Sequence, residues 1–130
     1  ADDIARATPL FEVVGENVYH MGDLGMGQVA KMCNNLICLV NVHVVEEAIR
    51  LAATAGIDEA RIREVAQASS GDSWALRNLD NMRELASIHT HGNPDMSIFG
   101  RKDIALASKL GARIGASIPI TDFVFDQTKK

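Results

Sequence analysis

The chain has 130 residues, 47% of them hydrophobic and 23% charged, with a formal net charge of −4. This is the balance of one soluble globular domain, and it excludes a disordered or low-complexity chain. The negative charge leaves no basic footprint for a nucleic acid or an anionic membrane.

The chain opens on Ala1, Asp2 and Asp3 rather than Met, with no basic stretch ahead of an apolar one. That reads as the absence of a signal peptide and is consistent with a piece of a longer protein. Ile4, Leu10, Phe11 and Val14 fall at loosely helical spacing around Pro9, which predicts a first helix up to Val14. A turn at Gly15–Asn17 follows, and the β-branched and aromatic content of Val18–Met21 predicts a short strand. After Gly22, Gly25 and Gly27, no Pro or Gly interrupts the chain from Gln28 to Ala55. At ~1.5 Å per residue this predicts a helix roughly 42 Å long, longer than a globule of this size, ending at Gly56. Its densest apolar run, Leu36–Val45, is too short to span a bilayer.

Asp58 is a candidate cap for a helix to about Ala68 with Ile62, Val65 and Ala66 inward. Ser73 is a candidate cap for a helix through about Ala86, and His89–Asp95 reads as a polar loop. Ser97 would cap a helix whose Ile104, Leu106, Ala107, Leu110 and Ile114 form an inner stripe and which Gly115 closes. A last helix starts at about Pro119. The expected class is all-α, with at most one short N-terminal strand.

Several groups could carry chemistry. Gly22, Gly25 and Gly27 suggest a dinucleotide fingerprint, but Leu24 stands where a glycine is required and no second strand follows. Lys31, Asn34, Asn35, Cys38 and Asn41 fall on one helical stripe about 120° wide. A solvated face carries mostly Glu, Lys and Arg, so amides along an apolar helix point to a partly buried polar site. Cys33 and Cys38 have no metal-motif spacing and read as reduced thiols of a cytoplasmic protein. His89 and His91 form an H-x-H pair without a convincing third ligand, so no metal site is expected. The serines at 69, 70 and 73 lack a nucleophile elbow. Trp74 is expected in a core or an interface.

The segment Gly25-Met26-Gly27-Gln28-Val29-Ala30-Lys31-Met32-Cys33-Asn34-Asn35 resembles the G-x-G-x-x-x-K-x-x-N-N motif of the β-hydroxyacid dehydrogenase family. That family includes 3-hydroxyisobutyrate dehydrogenase and tartronate semialdehyde reductase, with 6-phosphogluconate dehydrogenase a distant relative. The similarity continues through Glu47-Ala48, Ala55–Asp58 and Ser70–Trp74, and resumes at Lys102-Asp103-Ile104-Ala105-Leu106-Ala107. Asp95 stands where the family carries an aromatic ahead of the second lysine, and Phe99 is closer to it.

The resemblance implies the helical C-terminal domain of such an enzyme, like that of 6-phosphogluconate dehydrogenase, with its long helix at about 28–55. Residues 1–21 would be the end of an N-terminal Rossmann domain, and residues 22–130 a substrate and dimerisation domain. By position Lys31 falls on the catalytic lysine, Asn35 and its neighbour Asn34 on substrate-holding residues, and Lys102 on the lysine near NAD or NADP. A lysine amine in a water-poor site can exchange a proton with an alcohol. A carboxamide can hold a hydroxyl or carboxylate without competing charge. The implied protein is an NAD(P)-dependent 3-hydroxyacid dehydrogenase acting on a small hydroxyacid, a homodimer through the long helix, and the isolated chain is expected to be inactive. The alternative is a non-catalytic helical oligomerisation module that retains the motif.

Overall fold

The computed structural model of the chain describes residues 2–89 and 100–128. The regular elements among them are helices: α1 (Asp2–Val14), α2 (Met26–Thr54), α3 (Glu59–Gln67), α4 (Trp74–Arg77), α5 (Leu79–His89), α6 (Arg101–Ile114) and α7 (Pro119–Gln127). The expected all-α class is the observed one. Two compact units are present, Ala1–Lys31 and Met32–Lys130.

In the first unit, α1 contains Pro9, which has no N–H to continue the helical ladder. The Thr8 hydroxyl beside it donates to the Ile4 carbonyl at 2.8 Å. Leu10, Phe11, Val13 and Val14 are exposed. The strand expected at Val18–Met21 does not form. A strand needs a neighbour to exchange ladder bonds with, and no other strand occurs among the described residues. The glycine-rich turn leads into α2, with the Met26 N–H donating to the Asp23 carbonyl at 3.0 Å.

In the second unit, α2 is the central element. It closes as its glycine predicts: Gly56 takes a positive φ of 86°. The Ile57 N–H reaches back to the Ala52 carbonyl at 2.9 Å and the Gly56 N–H to Ala53 at 3.0 Å, satisfying carbonyls that the last turn would otherwise leave open. Two buried clusters use different faces of α2. Val42 packs with Ala75, Met82 and Ala86, with Cys38 against them. Leu39 packs with Ile104 and Val124, flanked by Val40 and Phe125.

α3 begins at its expected cap, with the Asp58 carboxylate accepting from the Ala60 N–H at 2.9 Å. No residue of α3 is buried, and Val65, expected inward, is exposed. Ile62 and Ala66, also expected inward, are half-buried, and charge pairs add to the attachment of this helix. Arg83 on α5 donates from Nε to Glu46 on α2 at 2.8 Å and from Nη1 to Glu59 on α3 at 2.7 Å. Arg63 on α3 makes a two-pronged contact with Asp80 on α5, at 2.9 and 2.8 Å. The fork geometry of the guanidinium suits this bridging. Hydrogen bonding to Glu46 pushes the Arg83 pKa up, and hydrogen bonding to Arg63 pulls the Asp80 pKa down.

The helix expected from Ser73 to Ala86 is two helices. Ser73 does cap the first, its Oγ accepting from the Leu76 N–H at 3.1 Å. Asn78 ends it: its Nδ2 and backbone N–H both donate to the Trp74 carbonyl, at 2.8 and 3.0 Å. A local side-chain bond of this kind competes with helix continuation.

The capping role expected of Ser97 lies outside the described residues, as do residues 90–95 of the predicted loop. The described N-cap of α6 is Gly100, with φ 73°. A Cβ there would collide with the side chain of Leu39, so α6 starts directly against α2. Ile104 and Ala107 are buried as expected, but Leu106 and Ile114 are exposed. Leu106 lies ~200° round the helix from Ile104 and cannot share its face. Gly115 closes α6 and Pro119 opens α7, both as expected.

Gly100→Ala combines overpacking with a left-handed backbone, and should lower unfolding stability by about 2–4 kcal/mol in denaturant titration. Gly27→Ala, where a Cβ meets nothing within 4 Å, should leave stability equal or slightly higher. His43 on α2 predicts a pH dependence. Its Nε2 is buried without a partner among the described residues. Burial, above all, pushes its pKa down, with Arg50 acting in the same direction and Glu47 and Glu46 opposing. The unfolded chain therefore takes up this proton first, at ~6.5. Its stabilising effect should be complete above that pH and be lost as pH falls through it. Unfolding curves at a series of pH values should show the slope, and His43→Phe should flatten it.

Candidate functional site

The second unit carries a cleft of about 680 Å³, within the ~300–1,000 Å³ range of small-molecule sites. One wall is α2, which presents Asn34, Asn35, Ile37, Cys38 and Asn41. These amides and Cys38 are four of the five residues of the polar stripe predicted on this helix. The other wall is Ser73, Trp74 and Ala75 at the head of α4, with Met82 of α5.

Local rules set the second wall. The Ser73 cap fixes where α4 starts, and Ala75 and Leu76 are buried, which leaves Trp74 outward on this short turn. The residue is 55% exposed and lines the cleft, so of the expected core or interface it does not take the core. An ion pair between Arg77 and Asp72 at 3.4 Å latches the turn. Sequence reading missed Ser73, Trp74 and Met82 as cleft residues. The available signal was the cap followed by a large aromatic with two small or apolar neighbours.

Asn34 is exposed, while Asn35 and Asn41 are half-buried. No hydrogen bond ties the amides of Asn35 or Asn41 to a described residue, so each keeps two donors and an acceptor for a ligand. Cys38 is half-buried, and burial pushes its thiol up, so this wall stays neutral at physiological pH. No charged side chain lines the cleft among the described residues. Such walls offer hydrogen-bonding groups but no ionised acid or base.

Lys31 belongs to the first unit and is exposed on α2, four residues before Asn35. Lys102 is exposed in the first turn of α6 and is not among the cleft residues. It stands beside Arg101 in the first turn of that helix. In the glycine-rich turn before α2 the Met26 and Gln28 N–H groups donate to the Asp23 and Gly25 carbonyls. No group of three or more His, Cys, Asp or Glu able to hold a metal occurs among the described residues. The side chain of His89 and the whole of His91, Asp95 and Phe99 lie outside them. No described helix is long and apolar enough to cross a membrane.

A family model described as "NAD-binding of NADP-dependent 3-hydroxyisobutyrate dehydrogenase" matches residues 25–129. A 3-hydroxyisobutyrate dehydrogenase of Pseudomonas aeruginosa is 36% identical, over 92% of this chain and 42% of that protein. An NAD-dependent L-serine dehydrogenase of the same organism is 32% identical over the same shares. A 2-hydroxy-3-oxopropionate reductase of Escherichia coli is 34% identical, over 89% of this chain and 39% of its own length. The chain thus spans about two-fifths of these relatives.

The two free thiols differ in setting, Cys33 being exposed and Cys38 half-buried with a raised pKa. Thiolate is the reacting form. Under limiting iodoacetamide near pH 8, peptide mapping should find Cys33 alkylated well before Cys38. Equal rates would contradict the burial described for the cleft wall.

Proposed function

Because this chain belongs to the 3-hydroxyisobutyrate dehydrogenase family, we propose that it is the helical substrate and dimerisation domain of an NAD(P)-dependent β-hydroxyacid dehydrogenase. On this reading residues 1–21 end a preceding dinucleotide-binding domain, and residues 22–130 form the helical part. The protein works in the cytoplasm, as a homodimer through α2. The observation that carries the reading is the cleft wall of Asn34, Asn35 and Asn41, on the same helix as Lys31, in a member of this family.

The reaction takes a primary alcohol of a small hydroxyacid to an aldehyde, with a hydride leaving carbon and a proton leaving oxygen. When bound, NAD or NADP supplies the hydride acceptor. It is held mainly by residues outside this chain, with Lys102 at one anionic edge. Lys31 takes the hydroxyl proton in oxidation and returns it to the carbonyl oxygen in reduction. Asn35, with Asn34 beside it, donates amide hydrogens to the substrate and fixes the alcohol carbon in place. Among the described residues the cleft walls carry no general base, which supports giving the proton to a lysine on the helix that forms one wall.

Steady-state kinetics of the full protein test this. Lys31→Met should lower kcat by ~10²–10⁴-fold with little change in KM, the mark of a group acting in the transition state. Asn35→Ala should raise KM and lower kcat through poorer positioning. Lys31→Arg keeps the charge but cannot release a proton usefully. Near-full kcat in that variant would make Lys31 an anchor and move the proton to another group. No turnover of any β-hydroxyacid with either cofactor would leave the oligomerisation module as the reading.

A further inference from the structure

The cleft extends well beyond Asn35. Six residues at ~1.5 Å each place Asn41 ~9 Å further along the helix. That far end is built into the core: Cys38 packs on the cluster formed by Val42, Ala75, Met82 and Ala86. Met82 and Ala75, at 6% and 2% exposure, form its floor. Asn41 is the polar group at this end, and its amide has no partner among the described residues. A four-carbon hydroxyacid held at Asn35 would leave this region empty, in a cleft of about 680 Å³.

We propose that the region bounded by Cys38, Asn41 and Met82 receives the substituent on the carbon bearing the carboxylate, and that it selects an uncharged chain longer than methyl with a hydrogen-bonding tip. This rests on the dehydrogenase reading above and adds the substrate class. An amide or hydroxyl tip can both donate to and accept from the Asn41 carboxamide. A second carboxylate would lose water in a recess with no charged side chain among its described walls, and unpaired burial of that kind is strongly unfavourable. The alkyl part of the substituent would lie on Met82 and Ala75.

The test uses the full protein with its cofactor and an isosteric pair, 2-(hydroxymethyl)glutarate and its C5 monoamide, with 3-hydroxyisobutyrate as the short reference. The monoamide should have at least a ten-fold higher kcat/KM than the dicarboxylate. Asn41→Lys should reduce that ratio at least ten-fold, because it supplies the missing cation. A ratio near one in the natural protein, or a ratio unmoved by Asn41→Lys, overturns the proposal. Should Asn41→Lys not fold, the natural protein alone still decides. Its kcat/KM for 2-(hydroxymethyl)pentanoate should lie within ten-fold of that for 3-hydroxyisobutyrate, and a loss beyond a hundred-fold would show that no room exists. If 3-hydroxyisobutyrate is oxidised and the longer acids are not, the subsite fails and the dehydrogenase reading stands. If none is oxidised, both fail.

Discussion

A helix turns ~100° per residue, and α2 has to meet a different neighbour at nearly every step. Cys38 and Val42 face the cluster built with α4 and α5, while Leu39, one residue on, faces α6 and α7. The amides of Asn34, Asn35 and Asn41 fall in the arc beside the first of these faces and become the cleft wall. Both cores and the cleft wall therefore hang on the phase of one uninterrupted helix. An insertion or deletion of one residue between Asn35 and Cys38 would turn Asn34 and Asn35 by ~100° relative to Asn41 and to both cores, and so split the amide wall.

Much of this was legible because it depends on short-range chemistry. The absence of Pro and Gly between Gln28 and Ala55 announced α2. Asp58, Ser73, Gly115 and Pro119 marked their helix ends by side-chain or backbone preference. The amide stripe gave one wall of the cleft for the same reason, since helical phase is readable from spacing. The facing wall was not legible. Trp74 and Met82 reach the cleft only because α4 and α5 pack across α2, a fact with no local signature. The break at Asn78 turned on one side chain bonding back to Trp74. The strand expected at Val18–Met21 needed a partner that local propensity cannot supply. Leu106 failed because apolar identity was read without its helical phase.

Charge is segregated across the second unit. Arg83 directly follows Met82, a cleft residue, yet its guanidinium is held by Glu46 and Glu59. Arg63 is likewise held by Asp80. Arg77, two residues past Ala75, is paired with Asp72, whereas Lys31, three residues before Asn34, is exposed. The Arg83 and Arg63 pairs help hold α3, whose Ile62 and Ala66 are only half-buried. One ion network thus ties α3 to α2 and α5. Weakening it with salt or by substitution would loosen α3.

The contact between Gly100 and Leu39 gives the second unit a mechanical property. With no Cβ at Gly100 and the Leu39 side chain in its place, the head of α6 bears on α2 with nothing compressible between them. Leu39 is next in the chain to Cys38 on the cleft wall, and Lys102 lies two residues beyond Gly100. The two helices are geared at this point like meshed teeth. A roll of α2 at Leu39 would therefore press on the turn that carries Lys102.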